Sequence, residues 1–278
     1  MSRRLLPLVL LTAGAATLAA QGVVIAPHAV YIDARVRSAS VLLYNPNPQP
    51  AEVTISTFFG YPVTDSLGRI VLRTVEHPDS MAPSAAEWIQ AFPRRLTVAP
   101  LERQTIRLLA TPRPGLPDGE YWARLVIAAK GGQVPIMGLA DTSKVKVGVT
   151  LEVRTIIGMA YRKGGVHTGV AISHLRGAVV GDSVAMWSRL ERQGNAAYVG
   201  TIHGMLVDSA GRVRAEFRAP IGVYYVLEPR YAAALGGGVL APGRYWLKLE
   251  LTTEREDLAP EVILPSAAVR DSVELRIP

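Results

Sequence analysis

The segment that most constrains this chain runs from Lys144 to Arg154 and reads Lys-Val-Lys-Val-Gly-Val-Thr-Leu-Glu-Val-Arg. Val145, Val147, Val149, Leu151 and Val153 fall on one side of it. Lys146, Gly148, Thr150, Glu152 and Arg154 fall on the other. Successive side chains of a strand point to opposite faces, so this alternation specifies a strand with one apolar and one polar face. A helix would scatter the same residues around its axis. Pattern alone leaves two destinations for the apolar row. It packs into the core of its own domain, as any half-buried strand does, or it is offered to another chain.

The chain around this segment has the same grammar. Ser40-Val41-Leu42-Leu43-Tyr44-Asn45 is an apolar run stopped by Asn-Pro-Asn-Pro, which favours a turn over further pairing. Glu52 to Phe59 alternates, and Asp65-Ser66-Leu67-Gly68 reads as a hairpin turn before Ile70-Val71-Leu72. Leu96 to Pro100, Gln104 to Ala110, Tyr121 to Ala128, Asp182 to Glu191 and Tyr198 to Val207 read as further strands. Ser84 to Ala91 suits either a short helix or an edge strand. No long window shows helical periodicity, which speaks against an α/β architecture. Short strands with turns every 8–12 residues or so predict a sandwich or barrel.

Two passages recur. Asp65-Ser66-Leu67-Gly68-Arg69-Ile70 is echoed by Asp208-Ser209-Ala210-Gly211-Arg212-Val213, and Pro117-Asp118-Gly119-Glu120-Tyr121-Trp122 by Ala241-Pro242-Gly243-Arg244-Tyr245-Trp246. A tyrosine placed this way after a glycine turn suits the corner at the start of strand F in immunoglobulin-like sandwiches, where its hydroxyl ties down the preceding loop. The expected fold is therefore all-β, with two immunoglobulin-like β-sandwich domains.

The N-terminus is not expected to belong to the fold. Arg3 and Arg4 precede an apolar run from Leu5 to Leu18, and Leu18-Ala19-Ala20 is a small-residue cleavage site. This is the pattern of a secretory signal peptide over residues 1–20. The run is shorter than the roughly 20 residues that a bilayer-spanning helix needs. Export would leave residues 21–278, divided into an N-terminal domain over 21–157 and a C-terminal domain over 158–278. The chain has no cysteine, so neither disulfides nor thiolate metal sites contribute. Removing Arg3 and Arg4 leaves 28 basic against 23 acidic residues. The basic residues form no concentrated stripe, so no nucleic-acid partner is expected.

Enzymatic chemistry has no foothold in the sequence. His28, His77, His167, His174 and His203 form no metal-ligand spacing, and there is no nucleophile elbow or phosphate loop. The expectation is a protein without catalytic activity, cofactor or metal.

The first half resembles the periplasmic chaperones that assemble pili by donating a strand to pilus subunits. Four stretches carry the resemblance: Ala29-Val30-Tyr31 with Ser40 to Asn45; Phe92 to Pro100 with Gln104-Thr105-Ile106-Arg107-Leu108; Leu116 to Tyr121; and Val147 to Val153 running on to Arg162. It implies that the Val145, Val147, Val149, Leu151 and Val153 row binds a secreted or pilus-type subunit with an incomplete β-sandwich, in the periplasm. It also implies an outer-membrane usher as a second partner. The family holds the subunit's terminal carboxylate with an arginine and a lysine. Those positions fall here on His28 and Gly158. Arg154, four residues earlier on the same face of a regular strand, is the expected substitute, so Arg154 and His28 are the candidate carboxylate anchors. The alternative is a structural or adhesive envelope module that shares only the fold. Its Val145–Val153 row would be buried in its own core.

Overall fold

The computed structural model describes residues 22–135, 148–236 and 238–278. The signal-like segment 1–20, Val145 and Val147 lie outside the described residues. The rest forms strands, with one short 3-10 turn at Pro260–Val262. No helix among the described residues is long and apolar enough to cross a membrane.

The first sandwich comprises β1 (Val24–Ala26), β2 (Ala29–Asp33), β3 (Ser38–Tyr44), β4 (Ala51–Thr64), β5 (Ile70–Val75), β6 (Ile89–Phe92), β7 (Arg95–Val98), β8 (Arg103–Ala110), β9 (Gly119–Pro135) and β10 (Gly148–Lys163). One sheet has the order β1-β3-β8-β6 and the other β2-β10-β9-β4-β5, with β7 also on β4. Every strand facing the interior contributes alternate residues, as period-2 patterning requires. Val41 and Leu43, Ile106 and Leu108, and Ile89 and Ala91 come from the first sheet. Ile32, Val53, Ile55, Leu125, Ile127, Met159 and Tyr161 meet them from the second. Burying each large aliphatic side chain contributes about 1.5–3 kcal/mol. The ambiguous stretch Ser84–Ala91 resolves into a turn and the edge strand β6, because Ile89 and Ala91 alternate inward from Gln90. Asn45, where the apolar run ends, is fully buried but satisfied: its amide donates to the Gln49 carbonyl at 2.7 Å and the Val98 carbonyl at 3.0 Å.

The second sandwich comprises β11 (Thr168–Val180), β12 (Ser183–Gly194), β13 (Tyr198–Asp208), β14 (Val213–Val223), β15 (Val226–Leu227), β16 (Arg230–Ala234), β17 (Gly243–Thr252) and β18 (Val269–Ile277). β12 pairs with β11, β15 and β16 in one sheet; the other has the order β14-β13-β17-β18. Its core holds Leu190, Tyr198, Ile202, Leu206, Leu247 and Leu249. The recurring passages are equivalent structures. Tyr121 Oη donates to the Pro117 carbonyl and Tyr245 Oη to the Ala241 carbonyl, each at 2.9 Å. Asp65 Oδ1 accepts from the Leu67 and Arg69 amides, and Asp208 Oδ1 from the Ala210 and Arg212 amides.

The strand that joins the domains runs through the 157/158 position without a break. β10 stays in the first domain's sheet through Lys163, paired with β9 throughout and with β2 from Gly158 to Arg162. The strand ends at Lys163, ahead of Gly164 and Gly165.

A buried carboxylate lies at the junction. Glu120 accepts from Trp122 Nε1 at 2.8 Å, from Arg162 Nε at 2.8 Å, and from the Ala197 amide of the second domain at 3.1 Å. Arg162 also donates to the Val262 carbonyl at 2.6 Å and lies 4.2 Å from the Tyr31 ring centroid. Around this pair Phe59, Trp122, Ala160 and Ala197 form a small apolar cluster of their own. The β4–β5 hairpin adds a second bridge: the Arg230 amide donates to the Gly68 carbonyl and the Glu228 amide to Thr64 Oγ1, both at 2.8 Å.

Removing one partner of a buried, hydrogen-bonded ion pair costs about 3–5 kcal/mol. Glu120→Ala is expected to lower unfolding stability by an amount in that range, read from the urea midpoint. A variant within experimental error of the parent would contradict the junction's role. The arginines at the two aspartate turns contribute differently. The Asp65 and Asp208 carboxyls are held below their ordinary value, chiefly by the Arg69 and Arg212 backbone amides. A lowered folded-state pKa gives stability that is present above the unfolded value of about 3.9 and lost as pH falls through the folded one. The Asp65→Asn/Asp208→Asn variant should therefore lose less stability than the parent between about pH 4 and pH 2, measured as thermal midpoint against pH.

Candidate functional site

β10 is two different strands in succession. From Gly158 to Arg162 it lies between β9 and β2. From Gly148 to Ile157 it keeps β9 on one side and, among the described residues, has no strand on the other. Its outer backbone groups there are free to pair, as on any sheet edge. The edge begins where β2 ends at Ala29 and the chain turns through Pro27 into β1, which belongs to the opposite sheet.

The apolar row follows the same division. Leu151, Val153, Thr155, Ile157, Met159 and Tyr161 alternate on one face of β10. Ile157, Met159 and Tyr161 are buried in the first core. Leu151 and Val153 remain 46% and 37% exposed. Val153 lies opposite the buried Ala129, and Gly22 approaches it closely enough that an added Cβ would sit 3.5 Å from Cγ1. The row therefore starts in the core and runs out of it. In the ladder, Val149 is paired with Val134. Between Thr150 and Glu152 the register slips by one, setting Leu151 against Gly131 and Gly132 of β9. Such a bulge increases local twist and re-aims the strand end.

The polar face explains Arg154. Its guanidinium is exposed and hydrogen-bonded to Glu152, which also pairs with Lys130 at 3.4 Å. Arg154, foremost, and Lys130 hold the Glu152 carboxyl below its ordinary value. Arg154 lies four residue steps from Gly158 along the strand, or about 13 Å. His28 instead lines a cavity of 220 Å³ between the domains, together with Tyr31, Arg124, Gly158, Tyr224 and Arg255. Arg154 is absent from that lining, so the structure does not bring the two candidate anchors together.

It brings in Arg124 instead. Arg124 is directly opposite Gly158 in the β9–β10 ladder. A Cβ at Gly158 would lie 3.1 Å from Arg124 Nη1, so the missing side chain makes room for the guanidinium. Arg124 is 9% exposed; Nε donates to the Gly60 carbonyl at 2.9 Å, and its charge lies 4.9 Å from the Tyr224 ring centroid. Nη2 is buried without a partner among the described residues. Burial raises the Tyr224 phenol above its ordinary value, and the Arg124 charge opposes that rise. Arg255, the other cation, is bound to Asp257 at 2.6 Å. Arg124 is thus the cavity's uncommitted positive charge. Sequence reading missed it because it belongs to β9, and its relation to Gly158 exists only through cross-strand register.

No protein-family model matches this chain, and no curated protein matches it in sequence. Solved structures do resemble it. The YadV chaperone is 17% identical, with a TM-score of 0.46, over 91% of this chain and 99% of that one. The CsuC–CsuE chaperone–tip adhesion subunit pre-assembly complex of Acinetobacter baumannii gives 14% identity and a TM-score of 0.48 over 90% and 97%. The SafA pilin–SafB chaperone complex of Salmonella enterica gives 12% and 0.43 over 91% and 96%.

The two halves of β10 should differ in amide hydrogen exchange. Alternate amides between Gly148 and Ile157 should exchange orders of magnitude faster than those of Met159 to Tyr161, which pair on both sides. Uniform protection along β10, read by NMR, would show that something already covers the edge.

Proposed function

We propose that this chain is a periplasmic chaperone-like protein that binds a secreted or pilus-type subunit by adding β10 to that subunit's incomplete β-sandwich. The observation that carries this reading is the free β10 edge, which presents Leu151 and Val153 beside open backbone groups. Strand addition draws affinity from main-chain bonds and specificity from alternate side chains entering pockets. β10 offers both, and its buried half fixes its position. The row Val145, Val147, Val149, Leu151 and Val153 is the proposed groove-filling surface.

The same reading assigns the subunit's terminal carboxylate to Arg124, with Tyr224 beside it and His28 on the cavity wall. Arg124 supports this better than Arg154, whose charge is already met by Glu152. A carboxylate accepting from a buried guanidinium forms a charge-assisted bond and supplies the partner that Nη2 lacks. Presentation of the bound subunit to an outer-membrane usher belongs to this reading as the following step.

The test begins with recovery of the partner from exported-protein extracts on the tagged chain. The expected catch is a subunit whose sandwich lacks a strand. Leu151→Glu/Val153→Glu should weaken binding by at least about 30-fold, since central interface residues contribute about 2 kcal/mol or more each. The domains should still unfold at the parent's midpoint, because both side chains are already exposed. Unchanged recovery would sink strand donation and favour an envelope module that shares only the fold. Arg124→Gln should weaken binding by about 2 kcal/mol or more. Anchoring by arginine should also leave affinity flat from about pH 5.5 to about pH 8.

A further inference from the structure

The second sandwich carries a cationic row that strand donation does not use. Arg176 of β11 faces Trp187 of β12, and Trp187 faces Arg230 of β16. Directly opposed residues share a face, with Cβ atoms about 5 Å apart. The Arg176 and Arg230 guanidiniums lie 4.5 and 5.5 Å from the Trp187 ring centroid, within cation–π range. Among the described residues neither guanidinium has a carboxylate partner. Nearby Arg189 is paired with Glu228 and Arg69 with Asp65, each at 2.7 Å. The row thus holds two positive charges with no ion-pair partner among the described residues, in a cleft whose two carboxylates, Asp65 and Glu228, are already paired.

The surroundings make this a cleft. Its volume is 550 Å³, and its far wall is the Thr64–Gly68 turn of the first sandwich, held by the Arg230 and Glu228 amides. A distortion of β11 puts Arg176 in place. The ladder shifts between Ser173 and Arg176, so that His174 and Leu175 together oppose Ser188. His174 occupies the left-handed region at φ 53°, which non-glycine residues rarely adopt. In an unbroken ladder Leu175 would face Trp187. With the extra residue, Leu175 packs against the core and Arg176 stands beside the indole. Bulges and strained residues concentrate where a side chain is re-aimed for a task.

We propose that the Arg176–Trp187–Arg230 row binds a phosphate group. Two uncommitted guanidiniums match a dianion, and their planar donor forks match the oxygens of a phosphate monoester. Trp187 holds both forks in place, so little freedom is lost when the anion arrives. The cleft is large enough for the organic part of a phosphorylated molecule, and the His174 imidazole lines it. The phosphate belongs either to a soluble phosphorylated compound or to the headgroup of a lipid surface. This site is independent of β10 and stands or falls separately from strand donation.

The test follows the Trp187 indole signal of the ¹⁵N-labelled chain, identified by its absence in W187F, during titration with inorganic pyrophosphate. The expected result is a saturable shift. R176Q/R230Q should weaken it at least tenfold, while R244Q/K248Q, an equal charge loss on the opposing sheet, should change it less than twofold. A shift that does not saturate, or equal weakening in both double variants, overturns the proposal as non-specific charge attraction. Should R176Q/R230Q fail to fold, R176K/R230K keeps the charge but loses the forks, and must weaken binding severalfold; unchanged affinity overturns the proposal. Sedimentation with phosphatidylcholine vesicles, with and without phosphatidic acid, distinguishes the sources. Retention only with phosphatidic acid, lost in R176Q/R230Q, assigns a lipid headgroup. Saturable pyrophosphate binding without retention assigns a soluble phosphate.

Discussion

The junction between the two sandwiches turns on one buried carboxylate. Glu120 starts at the entrance of β9, is 4% exposed, and accepts from both sandwiches. A buried carboxylate without partners would be prohibitive, and its partners here are distributed so that neither domain satisfies it alone. Trp122 Nε1 and Arg162 come from the first sandwich and the Ala197 amide from the second. The ion pair is therefore better understood as a device for fixing the angle between the domains than as a source of net stability, since buried pairs often gain little over apolar packing. The cavity around Arg124 and the cleft beside Trp187 both have walls from two domains, so both need that angle fixed.

The junction also sets where β10 changes character. Arg162 ties the end of the strand to Glu120, and β2 covers the strand as far back as Gly158. Beyond that point no described strand covers it, because β1 has crossed to the other layer. One continuous strand consequently has one half held by the core and one half whose outer edge is unpaired among the described residues. An edge strand of this kind is normally a liability that proteins blunt with charge or bulges. Glu152, Arg154 and Lys130 supply charge on the outward face, and the Gly131–Gly132 bulge twists the end. The inward row at Leu151 and Val153 is left apolar, an arrangement that suits selective pairing better than general protection.

The strands, the paired tyrosine corners and the paired aspartate turns were legible in the sequence because each is a local pattern. Tyr121 and Tyr245 sit four residues after the carbonyls they bind, and Asp65 and Asp208 reach amides two and four residues on. The apolar row was legible for the same reason, although period 2 cannot tell a covered strand from an open one. The length of β10 was not legible: its pattern weakens at Thr155 and Gly158, where tertiary pairing, and not alternation, keeps it extended. Nor was Arg124. Sequence reasoning sought a cation along β10, and the spacing pointed to Arg154. The cation near Gly158 belongs to a different strand and is related to it only by register.

That displacement says something about how charge is placed in a β-sandwich. A side chain on a strand can be replaced by one from the directly opposed residue of its neighbour, because the two lie on the same face about 5 Å apart. The exchange requires that the vacated position be small. Gly158 meets the requirement, since even a methyl group there would crowd Arg124 Nη1. An arginine arriving from β9 also gains what a residue on β10 would lack. Its Nε is fixed by the Gly60 carbonyl and its charge lies near the Tyr224 ring, while the buried Nη2 has no partner among the described residues. The charge is thus less free to wander than a lysine on β10 would be. The constraint on residue 158 is accordingly steric and that on residue 124 electrostatic, so the two positions form a single unit although they lie on separate strands.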